Sequence, residues 1–111
     1  MNGKTLEMAL LYDFYGELLT AKQQECFDLY FNEDFSLAEI AENKGISRQG
    51  VRDILVRAEA VLTDYEAKIG LVSRFSRIRD IVSSMERDID TLDEEKAEKL
   101  RGKIQDLKGL I

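Results

Sequence analysis

The stretch SLAEIAENKGISRQGVRDIL, residues 36–55, decides how the rest of the chain is read. Ser36 followed by Glu39 is an S-x-x-E capping box, in which a hydroxyl and a carboxylate satisfy the free backbone donors at a helix start. A short helix from there runs to about Asn43. Gly45 can adopt the left-handed conformation that ends it, Ile46 returns the chain to the core, and Ser47 caps the next helix. Ile40 and Ala41 fall on the inner face of the first helix, Val51, Ile54 and Leu55 on that of the second, and small Ala41 permits a close crossing. Together these features spell a helix-turn-helix.

Working outward, the absence of proline and the placing of most of the seven glycines at plausible helix ends point to an all-α fold of about five helices. The first is expected over about Thr5–Leu19. It is apolar nearly all round, through Leu6, Met8, Leu10, Leu11, Tyr12, Phe14, Tyr15, Leu18 and Leu19, and so is expected to be buried on more than one side. It serves either as the core of one chain or partly as a subunit contact. Thr20 and Gln23 form a T-x-x-Q box opening a second helix, which carries Cys26, Phe27, Tyr30 and Phe31 inward and stops in the polar NED at 32–34. The fourth helix continues through Ala58, Val61, Leu62, Tyr65 and Ile69 to Gly70, a natural C-cap.

Beyond Gly70 the spacing changes. Phe75, Ile78, Val82, Met85, Ile89 and Leu92 alternate three and four apart, and Ala97, Leu100, Ile104, Leu107 and Ile111 do the same. Thr91 with Glu94 is read as a further capping box, starting the last helix near Leu92. Residues 1–70 are therefore read as a helix-turn-helix domain and 71–111 as a helical hairpin or oligomerisation segment. A homodimer is expected, with Tyr12, Tyr15, Phe75, Ile78, Val82, Met85 and Ile89 as interface candidates.

Charge limits the chemistry. The chain of 111 residues carries 16 Lys plus Arg against 22 Asp plus Glu, so any phosphate contact must come from a local basic patch. Residues 1–35 hold two basic and seven acidic groups, residues 36–62 four of each, and residues 63–111 ten and eleven. The start of the fourth helix is the exception: within residues 47–57, Arg48, Arg52 and Arg57 oppose only Asp53. The positive end of the helix dipole lies there too. Arginine can bind guanine bidentately and glutamine can bind adenine, so Ser47, Arg48, Gln49, Gly50, Arg52 and Arg57 are the candidate nucleic-acid contacts, Ser47 or Arg57 holding the backbone. Gly50 either lets the helix backbone approach a groove or is a tolerated surface glycine. Arg74, Arg77 and Arg79, in SRFSRIR, are either a second phosphate contact, to RNA as readily as to DNA, or a solvated face paired with acids such as Asp80.

Enzyme classes find little support. With no histidine, one cysteine and no glycine-rich phosphate loop, the chain has no constellation for nucleophilic or ordinary acid-base catalysis, and no cofactor is expected. The acidic run DIDTLDEEKAE lacks the spacing and glycine of an EF-hand and reads as capping charge plus a solvated face, not a metal site. Cys26, flanked by Phe27, reads as a core residue. No apolar run approaches a membrane span, and the first residues show no secretory pattern, so a cytoplasmic location without membrane insertion is expected.

Residues 19–62, LTAKQQECFDLYFNEDFSLAEIAENKGISRQGVRDILVRAEAVL, resemble the promoter-recognising C-terminal domain of bacterial sigma factors. That similarity carries a reading role onto Arg48, Gln49 and Arg52 alone, and Gly50 departs from it, since a larger polar residue is usual there. The wider match, with LEMALLYDFYGELLT at the start and VSRFSRIRDIV later, is similar to the YlxM family of small helix-turn-helix proteins from Gram-positive bacteria, over about residues 3–90. The resemblance implies an all-helical regulatory protein encoded beside signal recognition particle genes and acting in that targeting pathway. Two roles follow: a regulator that contacts DNA or RNA through its fourth helix, or a non-catalytic adaptor that binds a particle component with the helix-turn-helix as scaffold.

Overall fold

The computed structural model describes residues 5–111. It contains six α-helices: α1 (Leu6–Tyr15), α2 (Ala21–Phe27), α3 (Leu37–Lys44), α4 (Arg48–Ile69), α5 (Leu71–Ile89) and α6 (Glu94–Lys108). The chain divides into two compact units, the first ending at Val72 and the second running Ser73–Ile111.

In the first unit α4 is the spine against which α1, α2 and α3 all pack. The core consists chiefly of Leu11, Tyr15, Phe27, Ile40, Val51, Leu55 and Leu62. Its aromatic side is a stack in which Phe27 lies 5.0 Å from Tyr12 and 4.7 Å from Phe31 between ring centroids. Such pairs add about 0.5–1.5 kcal/mol beyond the burial of their area.

Two helices differ from the sequence expectation. The first is shorter, ending in α geometry at Tyr15 and finishing as a 3-10 turn over Gly16–Leu18. Nor is it buried all round: Met8, Leu11, Tyr15 and Leu19 face the core, whereas Leu6 is 77% and Leu18 54% exposed. The second opens on the expected Thr20–Gln23 box. It then widens into a π-helical turn over Asp28–Asn32, with Tyr30 and Phe31 only half-buried. Asp34, at φ 59°, and a bond from the Phe35 N–H to the Leu29 carbonyl then turn the chain into α3.

The end of α4 is tied by a network that joins three segments of the chain. Gly70, at φ 71°, closes α4 as the spacing predicts. The buried Tyr15 hydroxyl donates to Glu66 Oε1 at 2.6 Å and accepts from the Leu71 N–H at 2.9 Å. Glu66 Oε1 also accepts from the Val72 N–H at 3.0 Å, so it serves free donors at the start of α5. Burial above all, then the bond to Glu66, raises the Tyr15 pKa.

In the second unit α5 and α6 form an antiparallel hairpin. Val82 and Ile89 pack against Ala97 and Ile104, with Ile78 beside them. Lys108 pairs with Glu86 at 3.0 Å and Arg101 with Asp90 at 3.1 Å, but these exposed pairs add little stability. The cap of α6 is not the expected Thr91–Glu94 box. Asp93 is the cap, accepting the Lys96 N–H at 3.1 Å, and Thr91 instead donates its hydroxyl to the Asp88 carbonyl at 2.7 Å. Asp ranks above Thr as an N-cap, and Thr91 is held by the end of α5. Among the described residues no helix is long and apolar enough to cross a membrane.

Candidate nucleic-acid interface

The candidate surface is built from short-range bonds. Ser36 Oγ accepts from the Glu39 N–H and Glu39 Oε1 from the Ser36 N–H, each at 3.1 Å, which starts α3. Lys44 at its other end reaches Glu25 of α2 at 2.7 Å. Gly45 takes φ 68°, a conformation an L-residue adopts only at a cost of roughly 1–2 kcal/mol. The Ile46 N–H then returns to the Ala41 carbonyl at 3.1 Å, and Ser47 Oγ accepts from the Gly50 N–H at 2.9 Å to start α4. Fully buried Ile40, Val51 and Leu55 hold the two helices together.

This leaves Ser47, Arg48, Gln49 and Arg52 exposed on the first turns of α4, with no acidic residue in the first turn. Among the described residues, neither Arg48 nor Arg52 is held in an ion pair. Two of the six candidates are already engaged. Ser47 spends its acceptor on the cap, and Gln49 Nε2 donates to Asp53 Oδ1 at 2.9 Å, a contact that its i,i+4 spacing could have disclosed. Arg57 is exposed but follows Arg52 by five residues, which turns it about 140° round the helix, away from the others.

A Cβ built at Gly50 would lie 3.2 Å from Ser47 Oγ and 3.7 Å from Ile46 Cδ1, a tight contact. Glu39 and Gln23 nevertheless carry full side chains at the same position of their own capped helices, so the cap alone does not require a glycine.

The arginines of the second cluster are less well gathered. Arg74, Arg77 and Arg79 are exposed on α5, and among the described residues none is in an ion pair, with Asp80 or otherwise. Arg74 and Arg77 are neighbours on the helix surface, whereas Arg79 lies 5.7 Å over the Phe75 ring, on another face.

Of the expected interface residues, the chain itself covers several. Tyr15 is 1%, Val82 3% and Ile89 5% exposed. Tyr12, Phe75 and Ile78 are half-buried, the Tyr12 hydroxyl donating to Asp28 Oδ1 at 2.8 Å, while Met85 is 42% exposed.

A three-helix support that presents the start of a long helix through a tight glycine turn is the architecture of helix-turn-helix proteins. The chain belongs to one family of them, UPF0122, the YlxM / p13-like helix-turn-helix proteins, whose profile matches residues 2–103. It is 48% identical over 94 residues to a UPF0122 protein of Thermoanaerobacter sp. strain X514, covering 85% of this chain and 80% of that one. Similar relatives occur in Acetivibrio thermocellus, 49% identical over 90 residues, 81% of this chain and 77% of that one, and in Halalkalibacterium halodurans, 44% identical over 90 residues, 81% and 83%.

Proposed function

We propose that this protein is a non-catalytic regulator that binds nucleic acid through the start of α4 and acts in the signal recognition particle pathway. One observation carries the binding role: Arg48 and Arg52 are exposed, outside any ion pair among the described residues, and beside the positive end of a 22-residue helix. Backbone N–H groups and guanidinium groups there offer phosphate and base edges the donors they require. The pathway rests on the family resemblance alone.

The test compares the protein with its Arg48→Ala/Arg52→Ala variant. Binding to the particle's RNA and to duplex DNA upstream of the protein's own operon is measured across a salt series. Two lost phosphate contacts lower the duplex salt slope by about 1.8, and a lost bidentate base contact costs about 1–3 kcal/mol for the preferred site. A variant that binds as tightly as the parent refutes the surface.

A second reading, an adaptor that docks on a particle protein, draws on the exposed apolar side chains of Leu6, which opens α1, and Leu18, in the 3-10 turn that follows it, each beside an acidic residue in the sequence. It requires a protein complex that survives the arginine changes and is lost when Leu6 and Leu18 are made polar.

A further inference from the structure

The α5–α6 hairpin holds a groove that its own two helices do not fill. About 500 Å³ in volume, it is walled by Met85 from α5, Leu92 from the turn, and Leu100 and Leu107 from α6, with Asp88 and Lys103 on its rim. These four apolar side chains, from α5, the turn and α6, are 37–42% exposed, and Ile81, one turn before Met85 on the same side of α5, is 50% exposed. Against this, the unit buries only Val82, Ile89, Ala97 and Ile104. A hairpin of 39 residues with so small a core needs further apolar cover.

Charge indicates what provides that cover. The half of the hairpin next to the turn, residues 85–99, carries seven acidic and three basic groups. The other half, residues 73–84 and 100–111, carries six basic and two acidic groups. The hairpin is therefore negative at its turn and positive at its open end by equal amounts. Its own best complement is the same hairpin turned end for end, since pairing in the same direction sets like charge on like. The two helices also share the three-and-four apolar spacing of helices that pack in bundles.

We propose that a second copy of this chain occupies the groove, the two hairpins lying antiparallel about a twofold axis as a four-helix bundle. In an isologous contact each pair of residues recurs twice. The antiparallel register carries Asp88 of each copy toward Lys103 of the other, on rims where, among the described residues, neither is in an ion pair. This surface differs from the Tyr12–Tyr15 face of α1 and does not depend on α4 reading nucleic acid.

Sedimentation of the full chain over a concentration series tests the pairing. The parent is expected to be dimeric at about 10 µM, and Leu100→Glu, which places a charge in the groove, monomeric at that concentration. Circular dichroism confirms that the variant keeps its helices. Because both rim residues are exposed, the charge reversals Asp88→Lys and Lys103→Asp leave the hairpin core alone. Each is expected to weaken the dimer about tenfold, and the double reversal to return it to within about threefold of the parent. A parent that is monomeric at about 100 µM overturns the proposal and leaves the groove to a segment of another protein. A dimer indifferent to Leu100→Glu places the contact elsewhere, and a double reversal no better than either single one refutes the antiparallel register.

Discussion

Replacing Ser47 separates what holds α4 in place from what α4 offers a ligand. Ser47 sits at φ −75°, ψ 158°, and its hydroxyl accepts from the Gly50 N–H at 2.9 Å. Alanine removes the acceptor at a position open to water, so the loss is that of an ordinary N-cap, about 1 kcal/mol. With a urea slope of about 1–3 kcal/mol/M, the unfolding midpoint falls by roughly 0.3–1 M. All four tyrosines, at 12, 15, 30 and 65, lie in the first unit, so tyrosine fluorescence follows that unit alone. Aspartate keeps the acceptor and adds a charge that suits the helix start by about 0.3–1 kcal/mol, so Ser47→Asp is expected to be at least as stable as the parent. Nucleic-acid binding is expected to fall with aspartate even so, because the new carboxylate occupies the position a phosphate would take. An unchanged midpoint for Ser47→Ala refutes the cap, and undiminished binding by Ser47→Asp refutes anion docking at this helix end.

Gly45→Ala is expected to destabilise the first unit by about 1 kcal/mol through backbone strain alone, since nothing lies within 4 Å of the added Cβ; an equal midpoint in urea rules out the left-handed turn. Burial first, then the bond to Asp28, pushes the Tyr12 pKa up to about 12, against about 10 for an ordinary tyrosine. Its contribution to stability is therefore whole below about pH 10 and is lost as pH rises through about 12, an alkaline loss that Tyr12→Phe should reduce when helicity is followed against pH. Cys26 is fully buried, and burial pushes its thiol pKa up, so labelling by a thiol reagent should wait on opening of the first unit and quicken in urea. Labelling of the native protein at the rate of a small free thiol would contradict that burial.

What was legible in the sequence was mostly what short-range bonds determine. The boxes at Thr20 and Ser36, the turn at Gly45 and the cap at Ser47 each involve residues three or four apart, so their residue types suffice to place them. The α5–α6 turn was harder because Thr91 and Asp93 compete within three residues, and only the bond from Thr91 to Asp88 decides between them. For α1, periodicity could not choose a buried face among side chains apolar nearly all round. Contacts far along the chain made the choice, above all Tyr15 with Glu66, 51 residues apart. At the candidate interface, residue type and register placed Arg48 and Arg52 at the helix start, and the i,i+4 spacing of Gln49 and Asp53 carries the bond that engages Gln49.

On the proposed reading, the acidity of the chain sets the character of binding without preventing it. The nearest acid on α4, Asp53, accepts a hydrogen bond from Gln49. Asp64 and Glu66, toward the far end of α4, stand about 24 Å or more along the axis from Arg48 at 1.5 Å per residue. That is more than two screening lengths at physiological salt, so the acidic end of α4 barely opposes a phosphate held at its start. At larger distances the whole chain repels a polyanion, and long-range steering, the usual source of rapid and indiscriminate association, is weak. Affinity must then come from the few groups that touch the target, and few phosphate contacts mean a shallow salt dependence. A protein of this charge tolerates little non-specific binding, and discrimination falls on the fit of Arg48 and Arg52 to base edges, where it is least affected by salt.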